Sequence, residues 1–168
     1  MLGLTGCRSD SGFGPDLSAA EADELKTETL ATQERVVKVA MDELGGIDRR
    51  NGRTVVAVRC SDLADRRYVS LEVRGSFVVE NHRVPEVAAA VTRTWRKEGW
   101  DVEPFDGFGL VFRTEPLHGI RRNGSASLQD LRDDPSGLAT GVGVVVGTGC
   151  FAIPDSLVES GWPRGSDP

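Results

Sequence analysis

No apolar run in this sequence approaches the roughly 20 residues that cross a bilayer as a helix, so any membrane attachment needs another means. There is no excess of positive charge: the net charge of −6 argues against nucleic acid, whose phosphates require a basic surface. Histidine is scarce, and His82 and His118 stand alone, without the spacing that would hold a metal. No Cys-x-x-Cys pair occurs, which removes the usual zinc and redox motifs. No nucleophile elbow is present, and no local context supports a Ser-His-Asp triad. Gly147-x-Gly149-x-x-Ala152 matches the dinucleotide fingerprint formally, but Pro154 follows at once where a phosphate-binding helix would have to begin. No cofactor is expected.

The stretch Leu4-Thr5-Gly6-Cys7 is of another kind. An aliphatic residue, two small residues and a cysteine resemble a bacterial lipobox, in which the thiol takes a diacylglyceryl group and a peptidase cuts before the cysteine. Lysine is confined to Lys26, Lys38 and Lys97 while arginine is plentiful, a texture similar to that of secreted lipoproteins from high-GC, actinobacterial-type genomes. The resemblance implies that Cys7 carries lipid and that the chain sits on the extracytoplasmic side of the cell membrane. Only Met1-Leu2-Gly3 precede the motif, short of the roughly 7–15 apolar residues of a signal peptide, so the rest is expected upstream of Met1. The competing expectation is a cytosolic protein whose lipobox is accidental.

Arg8 to Leu17 is polar and rich in Gly and Ser, cannot bury enough apolar surface to order itself, and reads as a flexible tether. If Cys7 carries lipid, Cys60 and Cys150 remain as an even pair, and such a pair in an exported domain is a disulfide candidate. The expected organisation is therefore a truncated signal and lipobox over 1–7, a tether over 8–17, one domain over 18–154 and a loosely ordered tail over 155–168.

Within the domain, Ser18 and Glu21 form a capping box that opens a long helix, and Gly45-Gly46 stops it. Leu30, Val36, Val37, Met41 and Leu44 make its buried stripe, and the acidic first turns are expected to project. Thr54–Cys60 and Tyr68–Val79 alternate and read as a hairpin, with Val56, Val58 and Cys60 expected to face the core on the first strand and Val69, Leu71 and Val73 on the second, so that Cys60 and Cys150 would both point inward. Gly75 suggests a bulge or bend. Pro85 begins a second helix whose stripe is Ala88, Val91 and Trp95. Trp95 and Trp100 invite a sugar-platform reading, but core and cap packing explain them more simply.

A second hairpin turns at Asp106-Gly107. The pattern then fails over 115–137, where His118, Arg121 and Arg122 are the polar groups a ligand could meet. Thr140–Ala152 is the last strand. Val142, Val144, Val146 and Cys150 share one face, and Gly143, Gly147 and Gly149 leave the other nearly bare, as if a helix or a partner approached the backbone.

These elements imply an α+β fold: a two-layer sandwich with an antiparallel sheet of about four to five strands and two helices on one face. The expected role is a lipid-anchored envelope protein that binds or scaffolds an unidentified protein or small molecule without catalysis. A cytosolic interaction domain and a surface hydrolase or transferase using carboxylates are the alternatives.

Overall fold

The fold is described from a computed structural model, in residues 14–43, 50–60, 66–77, 84–97, 101–105, 109–113, 125–130 and 142–163. In chain order the elements are α1 (Ala19–Glu43), β1 (Arg50–Arg59), β2 (Tyr68–Phe77), α2 (Val84–Lys97), β3 (Asp101–Phe105), β4 (Gly109–Arg113), β5 (Ser125–Asp130), β6 (Val142–Gly147), β7 (Phe151–Ala152) and α3 (Asp155–Ser160). The strands form one seven-stranded sheet in the order β1-β2-β6-β5-β4-β3, with β7 also paired to β2, and every strand pair is antiparallel. The class is α+β.

The order has a simple cause. β1 and β2 are a hairpin, and α2 then carries the chain to the far edge of the sheet. There β3, β4, β5 and β6 run back strand by strand until β6 closes on β2. The sheet is thus two locally folded units joined at one seam, where Glu72–Phe77 meet Val142–Gly147. β5 lies inside 115–137, where the sequence pattern offers only a turn at Asn123-Gly124, with a small hairpin as one reading, and no assigned strand. Its six residues, Ser-Ala-Ser-Leu-Gln-Asp, hold little apolar content, and pairing to β4 and β6 on both sides makes them a strand.

Both long helices cover the same face. Val36, Val37 and Met41 of α1 and Val87, Val91 and Trp95 of α2 pack with Val142, Val144 and Val146 of β6 and Val102 of β3. A second cluster lies under the first half of α1: Ala22 and Leu25 meet Val69, Leu71, Phe151 and Ile153, with Leu17 beside them. The first turns of α1 therefore do not project. Ala22 and Leu25 are fully buried. The stripe that buries them runs on through Thr29, Thr32 and Gln33, small or polar residues that apolar periodicity does not count. Each threonine hydroxyl returns its proton to its own helix, Thr29 Oγ1 to the Leu25 carbonyl at 2.7 Å and Thr32 Oγ1 to the Glu28 carbonyl at 2.9 Å, which satisfies the donor of each buried hydroxyl, and Thr32 Oγ1 also accepts from Arg35 Nη2 at 3.5 Å. Leu30, expected in the stripe, is only half-buried.

The capping box forms as read. Ser18 N and Ser18 Oγ both donate to Glu21 Oε2, at 2.7 and 2.6 Å, and Glu21 N donates to Ser18 Oγ at 3.3 Å. The facing of β1 is the reverse of the expectation. Val55 and Ala57 pack toward the helices, in register with Val73 and Leu71, whereas Val56 and Val58 stand opposite Glu72 and Ser70 on the other face. In a run reading Thr-Val-Val-Ala-Val-Arg both faces are apolar, so alternation cannot choose between them, and pairing with β2 decides.

Gly75 lies opposite a register shift in β1 between Asn51 and Thr54, so the extra residue belongs to β1. α1 crosses here: a Cβ at 75 would come within 2.8 Å of Gln33 Nε2, so the end of that side chain would have to move to admit one.

Two further segments differ from the expectation. Pro15, Asp16 and Leu17, placed in the tether by their composition, lie along the free edge of β7. After Pro154, the expected tail begins with α3, which Gly161 ends in the left-handed conformation (φ 72°) as Trp162 N bonds back to the Leu157 carbonyl at 3.0 Å. Trp162 closes on Phe151, edge to face, with ring centroids 6.2 Å apart.

Candidate functional site

Cys60 and Cys150 form a disulfide with their Cα atoms 6.0 Å apart and 90 residues of separation. The seam explains how they meet. Cys60 follows β1 in the first unit and Cys150 follows β6 in the second, so the bond staples the units together at one end of their junction. Closing so long a loop restricts the unfolded chain by roughly 4–5 kcal/mol on the entropy model. The two cysteines do not share the core face. Both are half-buried, and Cys60 continues the Val56–Val58 side of β1, which the helices do not cover.

What the sequence presents as one last strand is broken here. Glu72 pairs with Gly147, but Val69 pairs with Phe151, so β6 and β7 carry one residue more than β2 between those points: a β-bulge at Gly149-Cys150 opposite Ser70. Thr148 repairs the ladder at that point. Its N–H donates to the Leu71 carbonyl at 2.9 Å, and its hydroxyl accepts from Leu71 N at 2.9 Å, standing in for the carbonyl the bulge has turned away. The same hydroxyl donates to the Gly149 carbonyl at 2.9 Å. Gly147 therefore ends the ladder before a bulge and Gly149 lies within it, in place of a strand-to-helix phosphate loop.

Among the described residues neither α1 nor α2 packs on the glycine side of β6, where Gly143 and Gly147 are nonetheless buried. Val142, Val144 and Val146 are the residues packed against α1 and α2, so Gly143 and Gly147 belong to the opposite face. These two helices take the valine side instead, because small side chains admit close approach but supply none of the apolar area that draws a helix down.

Register places three rows across this face: Ser76, Gly143 and Gln129; Arg74, Val145 and Ser127; Glu72, Gly147 and Ser125. Arg74 donates from Nε and Nη2 to Glu72 Oε2, at 2.9 and 2.6 Å. On this face Arg74 is exposed and Glu72, Ser76 and Val145 are half-buried, beside a strip at Gly143 and Gly147 that is itself buried. Gly149 is not part of the strip, since the bulge takes it out of the ladder.

Cys7, His82, His118, Arg121, Arg122 and Trp100 lie outside the described residues. Among the described residues no group of three or more His, Cys, Asp or Glu side chains could hold a metal ion. No helix of the described residues is long and apolar enough to cross a membrane. No family model, curated protein or solved structure matches the chain.

Proposed function

We propose that this chain is a lipid-anchored protein of the cell envelope, held on the extracytoplasmic side by an acylated Cys7, and that it binds or scaffolds a protein or small-molecule partner without catalysing a reaction. The observation that carries the reading is the fate of the cysteines. Of the three, Cys60 and Cys150 are consumed by each other, which leaves the lipobox thiol as the one available for acylation. A structural disulfide also suits an oxidising compartment better than a reducing one. The face of β2 that carries the Glu72–Arg74 pair, with Arg74 exposed and Gly143 and Gly147 buried beside it, is the surface we assign to a partner, because neither long helix covers it.

The test is fractionation of cells expressing the gene with its upstream sequence. The wild-type product should enter the membrane fraction, dissolve in detergent and gain the mass of a diacylglyceryl group. Cys7→Ser should be soluble or retained as an unprocessed precursor. Identical fractionation of the two would remove Cys7 as the anchor.

A further inference from the structure

Three segments meet at the disulfide. Among the described residues the strap, residues 14–17, makes its backbone hydrogen bonds to β7, where Ala152 N donates to the Pro15 carbonyl at 3.0 Å and Leu17 N donates to the Ala152 carbonyl at 2.9 Å, and its Leu17 side chain packs in the second core cluster. β7 has only two residues, and its ladder to β2 consists of Tyr68 with Ala152 and Val69 with Phe151. The bulge at Gly149-Cys150 cuts β7 off from β6. On the other side of β2, the end of β1 is held where Cys60 N donates to the Tyr68 carbonyl at 3.2 Å.

β1 and β7 thus flank β2, and two strand spacings amount to about 9.5 Å in a flat sheet. The Cα atoms of Cys60 and Cys150 are 6.0 Å apart. The bridge therefore holds the bulge and the end of β1 toward each other across β2. The strap rests on that bulge: a Cβ on Gly14 would overlap the carbonyl oxygen of Cys150. The backbone that the disulfide positions is the same backbone against which the strap is seated.

We propose that the Cys60–Cys150 disulfide is the latch of a redox-sensitive clasp: oxidised, it fixes the bulge and the short β7 and so holds residues 14–17 on the sheet; reduced, it releases them while the β1–β2–β6 seam remains paired. The reductant is a dithiol. One of its thiolates attacks a sulfur of the bridge and forms a mixed disulfide, which its second thiol then displaces. Two electrons and two protons pass to Cys60 and Cys150, and the dithiol leaves as its own disulfide. The proposal does not depend on how residue 7 is held. If Cys7 is anchored, release frees four more residues between it and the domain, up to roughly 14 Å of chain.

Amide hydrogen exchange of the full chain, before and after treatment with dithiothreitol, tests the clasp. Leu17 N–H and Ala152 N–H report strap docking directly, and Val73 N–H in the centre of β2 reports the seam. On reduction the two strap amides should speed up by at least about tenfold more than Val73, as expected of a unit that opens by itself. Strap amides as protected as before, or all three faster by one common factor, would overturn the proposal. Gly14→Ala tests the reverse coupling without touching a cysteine. By pushing the strap off the Cys150 carbonyl it should raise the rate of bridge reduction severalfold at unchanged Val73 exchange; an unchanged reduction rate would equally overturn it.

Discussion

Trp162 donates its indole N–H to Asp23 Oδ1 at 2.9 Å, tying the turn after α3 to the second turn of α1 across 139 residues of sequence. With the edge-on contact to Phe151, this bond makes the end of the described chain part of the packing under the first half of α1. Trp162→Phe keeps most of the ring and loses the bond, and should cost about 1 kcal/mol in a denaturant titration. Trp162→Ala should cost more, because the contact with Phe151 goes as well.

The buried start of α1 can be tested directly. Leu25→Ala removes a fully buried side chain from the second cluster and should lower stability by about 2–5 kcal/mol, seen as a fall in the urea midpoint at unchanged slope. A change below about 0.5 kcal/mol, the size typical of surface positions, would mean that these turns stand free of the domain.

Gly75 and Gln33 should be energetically coupled. Gly75→Val drives side-chain atoms into the space of Gln33 Nε2 and should cost about 1–3 kcal/mol by overpacking. In a Gln33→Ala background the same substitution should cost distinctly less. A double-mutant cycle gives the coupling energy, and additivity would place Gln33 elsewhere than over Gly75.

Ser18→Ala should destabilise the domain by about 1 kcal/mol through loss of the cap, and Glu21→Ala should overlap with it rather than add, since the two side chains satisfy one another. Thermal melts of both single variants and the double variant decide this.

Reducing the disulfide should lower the melting temperature strongly, because roughly 4–5 kcal/mol is a large share of the usual 5–15 kcal/mol of domain stability. Unlipidated protein, with three cysteines of which two are bridged, should show one reactive thiol under denaturing, non-reducing conditions and three after reduction. Three thiols before reduction would mean that the bridge does not form.

Signals that act within a few residues were legible in the sequence. The Ser18–Glu21 box, the Pro85 helix start and the inward faces of Val69, Leu71 and Val73 and of Val91 and Trp95 each follow from side chains one or two turns or strand steps apart, and each stands where the sequence puts it, whereas Ala88, expected in the α2 stripe, is only half-buried and Val87 takes the buried place. The pairing of Cys60 with Cys150 was open to counting, given only that Cys7 has another use. Other features needed the whole fold. The apolar run of β1 is equally greasy on both faces, so Val55 and Ala57 go inward only because β2 fixes the register. β5 is a strand because β4 and β6 leave a gap between them, with little help from its own residues. Gly75 and the β6 glycines carry the same local message, room beside the backbone. Tertiary packing put α1 over Gly75 and turned Gly143 and Gly147 to the far side. A missing side chain states that something can come close. Which element does so depends on where the apolar area of the helices is buried, and that is a property of the assembled layers.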